Sequence, residues 1–254
     1  MSENGTAELY DFFHKMPRQG PGSPRNTVAC LNLIRAYLPK SPRVLEVGAG
    51  TGASTLDLAR QLNGHIIALD NDEKALDILE KKAASEHLNS RITTCVGCMS
   101  DLRFPRHSFD LIWSETSAYF MGFREALHYW RHFLKYSGIL AVSELTRLRP
   151  DPPQEAMEFW TAEYPAITDV DTNLDTVHAA GYEILNHSIL DREEWESHYY
   201  SPMEELIGTR LAEEPGNERL RGLCAQLTRE IEMFRSHHDY YGFLFVIARK
   251  SMAA

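Results

Sequence analysis

The sequence predicts a doubly wound, mostly parallel α/β sheet, and three observations point there. From residue 43 onward, short β-branched or apolar runs alternate with amphipathic stretches, the pattern of successive βαβ units. The first run empties into a glycine-rich turn, and an aspartate closes the second. With 254 residues and 43% hydrophobic side chains, the chain can bury one sizeable core.

Taken in order, residues 1–40 hold two helical stretches around the Gly/Pro-rich loop Gln19-Gly20-Pro21-Gly22-Ser23-Pro24, expected to form an N-terminal helical cap or lid with glycine hinges. Arg43 to Val47, His65 to Leu69, Ile92 to Val96, Phe109 to Trp113 and Ile139 to Ser143 are candidate strands. The clearest helix between them runs from Asp72 to Ala84, with Ala75, Leu76, Leu79 and Ala83 on one face. Pro150, Pro152 and Pro153 then break the alternation. A helix over Gln154 to Glu163 follows, and a second ends at Ala179-Ala180-Gly181, where glycine suits a C-cap.

Tyr182 to Leu190 and Tyr241 to Arg249 complete a seven-stranded sheet. Residues 191–240 between them are too many for a hairpin turn and read as a helical insertion before the last strand. It ends in a helix from Asn217 to His237 striped by Leu220, Leu223, Leu227, Ile231 and Phe234. Residues 1–254 are expected to form a single domain.

A formal net charge of −10 opposes the counterion release that drives nucleic-acid binding, so no nucleic acid is expected as partner. No apolar run approaches the roughly 20 residues that span a bilayer, and no membrane association is expected. Met1 to Thr6 is polar and lacks the basic start and apolar run of an export signal, which leads to an expected cytoplasmic location. There Cys30, Cys95, Cys98 and Cys224 read as free thiols. Cys95 and Cys98 have no second pair and no histidine at ligand spacing, and His237-His238 lack a partnered carboxylate; no metal is expected.

The most informative segment is Val44-Leu45-Glu46-Val47-Gly48-Ala49-Gly50-Thr51-Gly52-Ala53, a strand entering a glycine loop and a helix. Gly48, Gly50 and Ala53 also satisfy a dinucleotide-binding fingerprint, and Asp70 could bind the ribose of any adenosine. Glu46 separates the readings. A carboxylate there would repel an anionic pyrophosphate and attract the ammonium and sulfonium of S-adenosylmethionine. Ordering of the loop by Glu46 through backbone N–H groups remains the alternative.

These residues resemble the first motif of the class I S-adenosylmethionine-dependent methyltransferases, in the branch containing small-molecule and quinone-type enzymes. Leu69-Asp70 resembles the family's second acidic position, Phe109-Asp110-Leu111-Ile112-Trp113 its strand-four motif, and Leu134-Lys135-Tyr136-Ser137-Gly138-Ile139-Leu140 the turn before strand five. The likeness covers roughly residues 43–145. It implies a Rossmann-like sheet, S-adenosyl-L-methionine as cofactor, and a cofactor site of Gln19, Ser23, Glu46, Gly48, Ala49, Gly50, Asp70, Asn71, Cys98, Met99, Ser114 and Glu115. Two departures matter: Cys98 stands where the family has an aspartate for the adenine amino group, which shifts that contact to the backbone of Cys98 and Met99 or to Asp101, and the turn before strand five is altered to Tyr136-Ser137, a change a connecting loop tolerates. The stretch Arg18 to Ser23, with Trp113-Ser114-Glu115, also resembles a narrower set of relatives that brings no substrate with it.

In a doubly wound sheet, ligands lie beyond the carboxyl ends of the strands. Glu115 after strand four and Glu144 after strand five would aim carboxylates toward the methyl group, unless they only cap the segments that follow. His14, Trp160, Tyr164, Trp195, His198, Tyr199 and Tyr200 add aromatic density around such a pocket. The catalytic candidates are Glu115, Glu144, His198 and Tyr199. The expected reaction is in-line methyl transfer to nitrogen or oxygen of a small-molecule acceptor. Two readings compete: a cofactor-binding protein without catalysis that uses the insertion to hold a partner, and a nicotinamide-dependent oxidoreductase, for which no Tyr/Lys or His set is recognisable. Acceptor identity and oligomeric state are not legible.

Overall fold

A computed structural model describes residues 3–251. β1 (Arg43–Val47), β2 (His65–Asp70), β3 (Ile92–Val96), β4 (Phe109–Ser114) and β5 (Leu134–Arg147) run parallel, and β7 (Tyr182–Ile189) and β8 (Tyr241–Lys250) complete the sheet in the order β3-β2-β1-β4-β5-β8-β7. β8 lies antiparallel to both neighbours. The order reverses between β1 and β4, which leaves the crevice above their carboxyl ends free for a ligand.

The seven expected strands form, and two differences have physical reasons. β5 extends past Ser143 to Arg147 because Glu144 to Arg147 find ladder partners in Leu244 to Tyr241, so its polar end is paired. An eighth strand, β6 (Thr168–Asp169), pairs with Thr146 and Arg147; two residues are too short to show any alternation.

Helices cover both faces. On one side α2 (Pro24–Ile34), α3 (Ala53–Gln61) and α4 (Glu73–Ser85) bury Leu31, Leu56, Leu58, Leu76 and Leu79 against Val44, Trp113, Ala141 and Ile247. On the other, α5 (Phe123–Trp130) and α7 (Val170–Ala179) pack Leu127, Trp130 and Val177 onto Leu45, Ile112, Val142 and Val246. The helix expected from Asp72 starts one residue later, with Asp72 as N-cap accepting from Lys74 N and Ala75 N.

A third apolar cluster sits past the end of β5. α1 (Glu3–His14) contributes Phe12, and Met16 follows it; α6 (Gln154–Glu163) contributes Trp160. The segment between β7 and β8 contributes the rest through α8 (Arg192–Trp195), a π-helical turn (Glu196–Tyr200), α9 (Ser201–Glu213) and α10 (Glu218–His237). Asn217 caps α10 by accepting from Leu220 N. Among the described residues, no helix is long and apolar enough to cross a membrane.

Candidate functional site

Gly48, Gly50 and Gly52 take φ of +75°, +52° and +87°, so the chain turns out of β1 in a left-handed conformation that other residues strongly resist. Gly48 N and Ala49 N donate to Leu69 O at 2.9 and 3.1 Å, tying the loop to the end of β2. Asp70 sits beside it, accepting from Gly50 N at 2.7 Å through one oxygen and from Asp72 N at 3.0 Å through the other. Asn71 is exposed next to it.

Glu46 lies beneath this loop, 1% exposed. Its Oε1 accepts from Ser54 Oγ at 2.5 Å, and its Oε2 has no hydrogen-bond partner among the described residues. Burial pushes its carboxyl up to about 7. No loop amide bonds Glu46, whereas Asp70 takes Gly50 N, so loop ordering falls to the aspartate.

The segment between α1 and α2 closes over the loop. Gln19 Oε1 accepts from Thr51 N at 2.7 Å. A Cβ on Gly50 would meet that same oxygen at 2.1 Å, and one on Gly20 would meet Thr116 Oγ1 at 2.1 Å, so glycine permits both approaches. His14 Nε2 reaches Asp72 Oδ2 at 2.5 Å, a second tie between the cap and the β2 end. Ser23 does not face the glycine loop. Its Oγ caps α2 by accepting from Asn26 N and donates to Glu194.

Glu115 is bonded from several sides. Arg18 Nη1 donates to its Oε2 at 2.7 Å, while Thr27 Oγ1 and Trp113 Nε1 donate to its Oε1 at 2.8 and 2.9 Å. It shares the α2 side of the sheet with Trp113, whereas Glu144 follows Val142 onto the opposite face. The two carboxylates therefore do not converge. Ser114 Oγ shares a hydrogen bond with Ser117 Oγ at 2.7 Å, and Ser117 Oγ donates to Val47 O at 2.9 Å, a buried chain under the glycine loop.

At the far side of the crevice, Cys98 is exposed with Sγ 3.0 Å from Ser100 Oγ, a hydrogen bond that pulls the thiol below its usual range. Met99 O accepts from Trp130 Nε1 at 3.0 Å, which fixes the backbone there. All four cysteines are free, and no group of three His, Cys, Asp or Glu among the described residues could hold a metal ion.

Glu144, 2% exposed, accepts from the Tyr164 hydroxyl at 2.6 Å, and burial pushes its carboxyl up to about 8. Tyr199 is buried in the third cluster, but His198 is exposed. With Tyr199 and Tyr200 buried on the same π-helical turn, His198 is left on its exposed side. Arg18, Thr27 and Ser117 complete the site without having been singled out as functional. Arg18 carries the only signal, a basic residue opening the Gly/Pro loop.

Residues 44–138 match the model of a family described as a methyltransferase domain. A sterol 24-C-methyltransferase from Kluyveromyces lactis is 24% identical over 177 residues, covering 66% of this chain and 48% of its own length. The chain spans under half the length of the curated relatives it matches. Among solved structures, a SAM-dependent methyltransferase from Geobacter sulfurreducens in complex with S-adenosyl-L-homocysteine superposes with a TM-score of 0.83 at 16% identity, covering 96% of this chain and 97% of its own. A phosphoethanolamine N-methyltransferase from Haemonchus contortus gives 0.71 at 14% identity, covering 98% and 58%. With the sheet order and the ordered motifs, these matches make residues 44–138 similar to a methyltransferase domain, and the chain shares its fold with solved SAM-dependent methyltransferases.

Proposed function

We propose that this chain transfers the methyl group of S-adenosylmethionine to a nitrogen or oxygen of a small-molecule acceptor by direct in-line displacement. One observation carries the reading: a buried carboxylate, Glu46, with one oxygen unpartnered beneath a glycine cradle. Such a cradle suits a ligand with positive charge at its centre and disfavours a pyrophosphate. The residues present fit the cofactor. Gly48 and Gly50 allow close backbone approach, Asp70 offers carboxylate oxygens to ribose hydroxyls, and the backbone at Cys98 and Met99 would flank the adenine. When bound, S-adenosylmethionine supplies an electrophilic methyl carbon on a good leaving group.

The remaining work of the chain is positional. Gln19 and the 1–40 cap would shut the crevice against water, which strengthens every charge interaction inside. Ser114 and Ser117 hold the loop at a fixed height above β4. Glu115 acts in this reading as the anchor of the cap through Arg18, and Glu144 as the carboxylate nearest the acceptor. Residues 191–240 would form the outer wall within a single domain, and the enzyme would work in the cytoplasm. The net charge of −10 supports a small molecule over a nucleic acid.

Thermal unfolding with S-adenosylmethionine, S-adenosylhomocysteine and NADH added separately tests the proposal. A ligand at about 100 times its dissociation constant adds roughly 2.7 kcal/mol, a rise of roughly 5–10 °C for a chain of this size. A rise with the two sulfur ligands alone is expected. A rise with NADH alone would overturn it, and no rise with any ligand would favour a fold without the activity.

A further inference from the structure

Beyond the glycine cradle, two carboxylates and a set of aromatic rings gather past the end of β5. Glu144 offers one oxygen to Tyr164, and its Oε2 has no hydrogen-bond partner among the described residues. The Tyr164 ring lies 5.7 Å from that of Tyr119. Burial raises the Tyr119 phenol, and the charges of Glu230 on α10 and of Glu144 both add to that rise. Glu230 accepts from the Tyr200 hydroxyl at 2.8 Å, and Tyr200 stacks on Trp195 at 5.8 Å. Tyr119 and Tyr164 are half-buried.

Among the described residues neither Glu144, which is buried, nor Glu230, which is half-buried, forms a salt bridge, whereas Glu115 has Arg18, Asp57 has Arg60 and Glu194 has Arg25. Burial raises Glu144 to about 8 and Glu230 to about 7, the response of carboxyls that lack a cation. A buried carboxylate oxygen without a partner is costly, and a positive charge brought from outside would offset that cost. Aromatic faces favour an organic cation over a metal ion, and no metal-binding group is present among the described residues.

We propose that the acceptor is a small aliphatic amine, taken up as its ammonium ion between Glu144 and Glu230 and walled by Tyr119, Tyr164, Tyr200 and Trp195. The inference rests on the methyltransferase reading and narrows its acceptor. The ammonium gives one proton to the Glu144 carboxylate. The freed nitrogen lone pair then forms a bond to the methyl carbon while the carbon–sulfur bond breaks and its electron pair stays on sulfur. The sulfonium becomes a neutral thioether, and the positive charge ends on the methylated ammonium, so charge is conserved.

Calorimetric titration of the full chain, saturated with S-adenosylhomocysteine, tests this with three probes. Choline and tetramethylammonium are cations that cannot accept a methyl group on nitrogen, and 3,3-dimethylbutan-1-ol has the shape of choline without its charge. Choline is expected to bind at least about ten-fold more tightly than the alcohol, and Glu144→Gln and Glu230→Gln are each expected to weaken it about ten-fold. S-adenosylhomocysteine affinity should stay within about two-fold in both variants, which checks that they fold. Equal affinity for choline and the alcohol, no binding of either cation, or indifference of both variants overturns the amine assignment. Failure of the wild-type chain to bind S-adenosylhomocysteine overturns the methyltransferase reading instead.

Discussion

Arg18 Nη1 donates a 2.7 Å hydrogen bond to Glu115 Oε2, joining the loop after α1 to the end of β4 through a buried pair. Asp57 Oδ2 lies 3.6 Å from the same guanidinium. Removing the arginine strands Glu115 without a cation and leaves Asp57 with Arg60 alone. Breaking a buried pair in this way costs about 3–5 kcal/mol. Arg18→Met should therefore destabilise the protein by about that amount in urea unfolding, and Glu115→Gln by less, since Arg18 keeps Asp57. The double variant should recover much of the loss. Equal losses in both single variants would contradict this asymmetry.

Gln19 holds the cap against the glycine loop through Thr51 N. Gln19→Ala removes one hydrogen bond worth about 1 kcal/mol and loosens the closure. Dissociation of S-adenosylhomocysteine should quicken several-fold in stopped-flow measurements, with little change in unfolding midpoint. A slower release would mean that the glutamine side chain competes with the ligand for the loop amide.

These ties also show how far the sequence could be read. The glycine turn, Asp70 and the strands around them are written in local pattern, because strand periodicity and left-handed turns depend on near neighbours. The Arg18–Glu115 pair spans 97 positions, and only the folded chain brings its members together. Ser23 looked available for a ligand, yet its oxygen serves as the N-cap of α2, a use that the following Pro24 at the first helical position signals. Glu230 was legible in principle. It interrupts the apolar stripe of α10 between Leu227 and Ile231, where a charged residue asks for a partner inside the fold.

Gly48 faces Ser117 so closely that an added Cβ would lie 2.4 Å from its Oγ and 2.5 Å from its Cβ. Gly48→Ala combines that clash with a left-handed φ of +75°, itself a cost of roughly 1–2 kcal/mol. The variant should lose at least about 2 kcal/mol in chemical denaturation. Ser117→Ala should not rescue it, because the Ser117 Cβ alone keeps the clash. Rescue by that change would show that the loop has more room than these distances allow.

Glu46 should affect stability and cofactor binding with opposite signs. Its folded value of about 7 exceeds the unfolded range near 4.3, as do those of Glu144 at about 8 and Glu230 at about 7. The native state thus holds more protons than the unfolded chain, and stability present below about pH 4.5 is lost as pH rises toward 7–8. The ligand-free unfolding temperature should fall across that window, and Glu46→Gln should flatten part of the decline and raise the value at pH 8. S-adenosylmethionine needs the opposite state, since its positive charge favours the ionised carboxylate. Its affinity should climb between about pH 6 and 8 in the wild-type protein, with proton release on binding. Glu46→Gln should remove that climb and weaken binding about ten-fold or more at pH 8 while the apoprotein becomes more stable. Loss of both stability and affinity in the variant would instead assign Glu46 a purely structural part beneath the loop.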